Sequence, residues 1–121
     1  MTDSVVLLGS YPIPPADGCV YMVTCIYKAK SAKNHSHARC WGFSFSLEEV
    51  TKWVLGNATD MFEQGYYNYA VIEQVPAGLL PFAKPIAWYK YAYSKDEETI
   101  VPMQARPDFV TDTDHNWFES R

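Results

Sequence analysis

Apolar and polar positions alternate with a period of two along several stretches of this chain, and in one stretch they recur at helical spacing. Residues 19–28, "CVYMVTCIYK", are rich in β-branched and aromatic side chains and predict a strand. Val20, Met22, Thr24 and Ile26 would face one side, with Tyr21, Val23, Cys25 and Tyr27 on the other. Residues 39–45, "RCWGFSF", predict a second strand with Arg39, Trp41, Phe43 and Phe45 on one face. Next comes Ser46-Leu47-Glu48-Glu49, a capping box in which Ser46 and Glu49 satisfy each other's backbone N–H groups. Phe45 and Val50 sit where a hydrophobic staple would. Leu47, Val50, Val54, Ala58 and Met61 follow helical spacing, with Gly56-Asn57 ending or interrupting the helix. "ATDMFEQG" predicts a further turn or two, closed by Gly65.

Residues 66–75 predict a third strand whose second half, 70–75, is nearly continuous apolar sequence, as suits a central strand buried on both sides. Residues 86–93, "IAWYKYAY", predict a fourth. Ala87, Tyr89, Tyr91 and Tyr93 share one face of it, and Ile86, Trp88, Lys90 and Ala92 the other. "SKDEE" is a turn, and "TIVPMQA" a short fifth strand placed at an edge by Pro102, which has no N–H for a ladder. The expected fold is α+β: a mostly antiparallel sheet of about five strands with one main helix, in the order β-β-α-β-β-β. One helix covers one face, so the other is expected to be solvated or buried in an oligomer, and its aromatic content favours the oligomer.

The 121 residues read as a single domain. An extended Pro-rich arm over 1–18 precedes it, and a polar tail over 107–121 carries Phe109, Trp117 and Phe118 as anchors. No secretory pattern and no membrane-spanning run is evident, and three cysteines without a CxxC pair suggest reduced thiols in a cytosolic protein. The net charge of −4 argues against coating long nucleic acid, whose binding is dominated by phosphate neutralisation. A small phosphorylated ligand needs only two or three well-placed cations and stays open.

No motif for catalysis stands out: GxSxG, HExxH, GxxxxGK[ST] and GxGxxG do not occur. Asp60 and Glu63, with Glu73, imitate an acid/base set, but read better as acids in a helical turn and at a solvent-facing strand position. His35, His37 and Cys40 carry zinc-binding atoms, but no second ligand pair accompanies them, and no metal or other cofactor is expected. The aromatic residues are more informative. Nine tyrosines, six phenylalanines and four tryptophans are many to bury in so small a domain. Trp88, Tyr89 and Tyr91, with Tyr66, Tyr67, Asn68 and Tyr69, offer surfaces on which a base can stack, worth about 1–3 kcal/mol per base. Arg39 and Arg106 supply planar forks suited to phosphate. The same aromatics would equally pack a sheet or a subunit interface.

The segment "SFSLEEVTKWVLGNATDMFEQGYYNYAVIEQVPAGLLP", with the later "WYKY", resembles a family of small phage proteins, the first type of anti-Thoeris protein. The likeness lies in a helix, an Asn57-x-x-Asp60-x-x-Glu63 turn, a Gly-Tyr-Tyr-x-Tyr-Ala-Val-Ile-Glu run and a Trp-Tyr-Lys strand. It covers roughly residues 39–91. The resemblance implies a non-enzymatic sponge that sequesters cyclic ADP-ribose signals made by bacterial TIR-domain defence proteins, in the cytoplasm of the infected host. It also implies homodimers assembled into hexamers, and a second site for cyclic oligonucleotides in some members. Its nearest site candidates here are Trp88 and its neighbours with Arg39 and Arg106. Two rival expectations are a protein-interaction module that blocks a host enzyme, and a small hydrolase using Asp60, Glu63, His35 or His37.

Overall fold

A computed structural model describes residues 18–31, 37–77, 82–111 and 116–119. Five antiparallel strands form one sheet: β1 (Cys19–Tyr27), β2 (His37–Ser44), β3 (Tyr69–Pro76), β4 (Lys84–Ser94) and β5 (Glu97–Met103). Their order in space is β2-β1-β3-β4-β5. The continuous apolar run of β3 is therefore central, and Ala70, Val71 and Ile72 are fully buried. Strands β4 and β5 form a tight hairpin. Lys95 and Asp96 both take positive φ, 54° and 64°, as the turn that matches strand twist requires. The turn is shorter than the expected "SKDEE".

A bulge corrects the expected face of β2. Val23 pairs with Gly42 and Thr24 with Cys40, so Trp41 is an extra residue in the ladder. Arg39 stands opposite Cys25, whereas Phe43 stands opposite Met22 on the other face. The alternation Arg39-Trp41-Phe43 breaks there because an inserted residue reverses the parity of everything after it. Phe43 is left exposed, its ring edge-on to Phe45. A second bulge leaves Ile86 unpaired between Ala87 and Pro85 in β4.

Helix α1 (Leu47–Leu55) covers the first face of the sheet. Ser46 Oγ accepts from the Glu49 N–H at 3.1 Å, as the sequence predicts. The return bond runs differently: the Ser46 N–H donates to Ser44 Oγ at 3.0 Å, and the Ser44 hydroxyl donates to the Glu49 carboxylate. The box closes through one extra hydroxyl. Val50 and Val54 are buried with Val23, Cys25, Phe62, Tyr67 and Ile72, while Leu47 stays on the outside.

Beyond Gly56 the helix ends, and two 3₁₀ turns replace the expected continuation. Asn57, Thr59, Asp60, Glu63 and Gln64 all have φ between 48° and 57°. Each such residue costs roughly 1–2 kcal/mol in a non-glycine chain. Side-chain bonds offset this: Asn57 Oδ1 accepts from the Phe62 N–H at 3.0 Å, and Asp60 Oδ1 from the Gln64 N–H at 3.1 Å. Gly65 closes the segment at φ 95°, where an added Cβ would lie 2.8 Å from the Tyr91 ring.

The second face has its own cover. Ile26, Ala38, Val71 and Trp88 pack with Val110 and Trp117 from the C-terminal segment, and Tyr69 and Phe109 flank them. The expectation that this face is either solvated or covered by another subunit is corrected: over its central strands, the chain covers it itself. Glu73 is corrected too. It is 0% exposed, and its carboxylate accepts the Trp117 N–H at 2.6 Å and the Phe118 N–H at 2.9 Å. Antiparallel pairing with Met22 aims it at the second face, where the returning chain seals it from water.

Candidate functional site

The β4 bulge opens a cleft of about 400 Å³ between Pro85–Trp88 and the chain that follows β5. Trp88 is held against Met103 by the β4–β5 ladder and lies in the cleft wall. Its ring meets Trp117 edge-to-face at 5.8 Å, an arrangement that the indole quadrupoles favour. Only 7% of Trp88 is exposed, so it is a floor and not a free platform. Arg106 lines the same cleft just past the end of β5, with Gln104 and Thr111 as further polar neighbours. Arginine is the residue type for bidentate anion recognition and tryptophan the one for a flat apolar contact, and both line this cleft.

Of the seven residues expected to bind ligand, Trp88 and Arg106 share this cleft. The others lie elsewhere. Tyr89 and Tyr91 belong to the helix-side core, because adjacent strand positions point to opposite faces. The Tyr91 hydroxyl donates to Glu98 at 2.8 Å. Burial, then that bond to Glu98, pushes its pKa up to about 12. Asn68 is a latch: its Oδ1 accepts the Lys28 N–H at 2.9 Å, and its Nδ2 donates to the Lys28 carbonyl at 3.3 Å. Tyr69 packs edge-on against Phe109 in a separate shallow groove with Lys28 and Asp108.

Arg39 stands at the β2 edge of the sheet. Its guanidinium lies 4.1 Å from the Trp41 ring centre and 3.7 Å from a Glu63 oxygen. It borders a groove of about 750 Å³ with His37, Cys40, Tyr67, Phe118 and Glu119. Residues from both faces contribute, so this groove wraps around an open strand edge. The Tyr67 hydroxyl and His37 Nδ1 are 3.3 Å apart within it.

Sequence reasoning missed the partnership of Trp88 with Trp117. The tail aromatics were legible as anchors, but no local pattern says which strand residue they meet. Thiolate chemistry at Cys25 and Cys40 is disfavoured: burial, then the Glu63 charge, pushes the Cys25 thiol up to about 12, and burial raises Cys40 as well. Among the described residues no three His, Cys, Asp or Glu side chains gather as a metal site, and His35 lies outside those residues. The three acids of the expected acid/base set each have a partner of their own. Glu63 pairs with Arg39, Asp60 holds its own loop, and Glu73 is buried under the C-terminal segment. No helix among the described residues is long and apolar enough to cross a membrane.

Comparison with family models, curated proteins and solved structures finds no match to this chain.

Proposed function

We propose that this protein binds and sequesters a small cyclic nucleotide signal of the cyclic ADP-ribose class without converting it. In this reading it acts for a phage, in the cytoplasm of the infected bacterium, and assembles as a homo-oligomer. The observation that carries the reading is the meeting of Trp88 and Arg106 in one cleft. A nucleotide needs an apolar surface for its base and a fork for its phosphates, and the cleft is lined by one residue of each type, which supports the reading. Its volume of about 400 Å³ falls within the range of small-molecule pockets. Sequestration at low signal concentration requires a Kd near 10 nM, roughly −11 kcal/mol.

The test is depletion followed by release. The protein is incubated with the cyclic ADP-ribose signal made by a TIR-domain enzyme, free signal is measured, and the protein is then heat-denatured. Depletion followed by return of intact signal supports the proposal. Permanent loss of the signal would make the protein a hydrolase, and no depletion would favour direct blocking of a host protein.

A further inference from the structure

We propose that Glu73 is a positioning residue: through Trp117 it fixes the Trp88 ring in the cleft. As far as it concerns binding, this rests on reading the Trp88–Arg106 cleft as the ligand seat. Glu73 lies on the central strand, 44 residues before the group it holds. A fully buried carboxylate is costly unless its oxygens are well bonded. Here its two oxygens accept two consecutive backbone N–H groups, those of Trp117 and Phe118, so the short turn Trp117–Glu119 is gripped at its start. Asn116 adds a second point of attachment, its Oδ1 accepting the Ala83 N–H at 2.7 Å.

Between these two grips the Trp117 indole has little freedom, and it is 3% exposed. It presses edge-to-face, at an interplanar angle of 85°, on Trp88. Trp88 in turn lines the cleft, and so does Val110 of the same C-terminal cover. A stacking floor is useful only if its plane is set before the ligand arrives. The chain of contacts Glu73 carboxylate, Trp117 backbone, Trp117 indole, Trp88 indole supplies that setting.

Glu73→Gln is the sharp test. Glutamine keeps the shape but offers one acceptor oxygen where two N–H donors point, and its own NH₂ then meets a donor. Two indoles in close edge-to-face contact couple their transitions and give a paired circular-dichroism band. The loss of signal in Trp117→Phe measures the share that this pair contributes. Glu73→Gln is expected to lose that share while keeping the sheet signal and the elution volume of the wild type. It should also bind the cyclic ADP-ribose signal roughly two- to thirty-fold more weakly, the range of coupling through such contact networks. An intact paired band, or a lost band with unchanged affinity, overturns the proposal. If Glu73→Gln does not fold, amide exchange in the wild type decides. Trp117 and Phe118 N–H groups protected together with Val71 and Ile72 support the clamp, and free-peptide exchange rates refute it. A wild-type protein that ignores the signal defeats the proposed function alone, because the band still reports whether Glu73 sets Trp88.

Discussion

The two faces of the sheet are closed in opposite ways. The first is covered by α1, which lies between β2 and β3 in the chain and packs back on the strands beside it. The second is covered by the C-terminal segment, returned to the central strand and gripped by one buried carboxylate. In the first cover Val50, Val54, Phe62 and Tyr67 lie almost wholly inside, and a smaller hollow of about 200 Å³ stays open between Trp41, Trp53 and Met61. The second leaves the larger cleft at its margin, where β4 bulges. A local, capped element leaves the smaller of these two hollows. A long-range strap leaves room at its edge, and the candidate site lies there.

Substitutions should separate the two covers. The largest effect is expected from Phe62→Ala on the first face, about 3–5 kcal/mol for a fully buried aromatic. Urea unfolding followed by circular dichroism and by fluorescence should show one common lowered midpoint. Trp117→Ala on the second face should cost less, because without the indole the short segment, clamped in the wild type, is free to open locally and limit the loss. Its fluorescence and amide-exchange changes should precede loss of the sheet signal. Coincident transitions for Trp117→Ala would make the two covers one cooperative unit.

Gly65→Ala comes next. A left-handed φ and a Cβ 2.8 Å from Tyr91 should together cost about 1–3 kcal/mol, seen as a lower thermal midpoint. A neutral result would mean that the 57–66 loop relaxes freely. Ser46→Ala should remove about 1 kcal/mol from the first face without touching the cleft. Ligand affinity equal to wild type, with a lowered urea midpoint, checks that separation.

The pH dependence belongs to the first face as well. Tyr91 and Cys25 both have folded-state pKa values raised to about 12, so the native state favours their neutral forms. Their contribution is fully present below the ordinary values of 10 and 9, and is lost as pH rises from there to about 12. The urea midpoint should therefore fall across that alkaline window, and fall less steeply in Tyr91→Phe. An unchanged slope in that variant would remove Tyr91 from the account.

Much of the first face was legible in the sequence. Alternation placed Val23 and Cys25 together, and the Ser46 and Glu49 pattern located the start of α1. The apolar run of residues 70–75 marked the central strand. What escaped is non-local or irregular. Trp41 as a bulge leaves no mark in a period-two pattern, yet it turns Phe43 to the other face. The left-handed residues from Asn57 to Gln64 depend on side-chain bonds that close only in the folded loop. Glu73 looked like a solvent-facing strand acid because its partners stand more than forty positions away. For the candidate site, residue type singled out Trp88 and Arg106, which share one cleft. The alternation of β4, legible in the sequence, puts Tyr89 and Tyr91 on the opposite face, whereas the strand order, which is not legible, puts Arg39 at the far edge.

The central claim is that the cleft of Trp88 and Arg106 holds the ligand. Trp88→Ala is a blunt tool here, because Trp88 also carries the second core. Arg106→Ala is cleaner, and Arg39→Ala, at the opposite edge of the sheet, is its control. Calorimetric titration of both variants with the cyclic ADP-ribose signal is the direct measurement. The account predicts at least about tenfold weaker binding for Arg106→Ala, consistent with a lost charge-assisted contact of roughly 1.5–3 kcal/mol, and wild-type affinity for Arg39→Ala. Wild-type binding by Arg106→Ala, with the loss appearing in Arg39→Ala, would contradict it and move the site to the β2 edge.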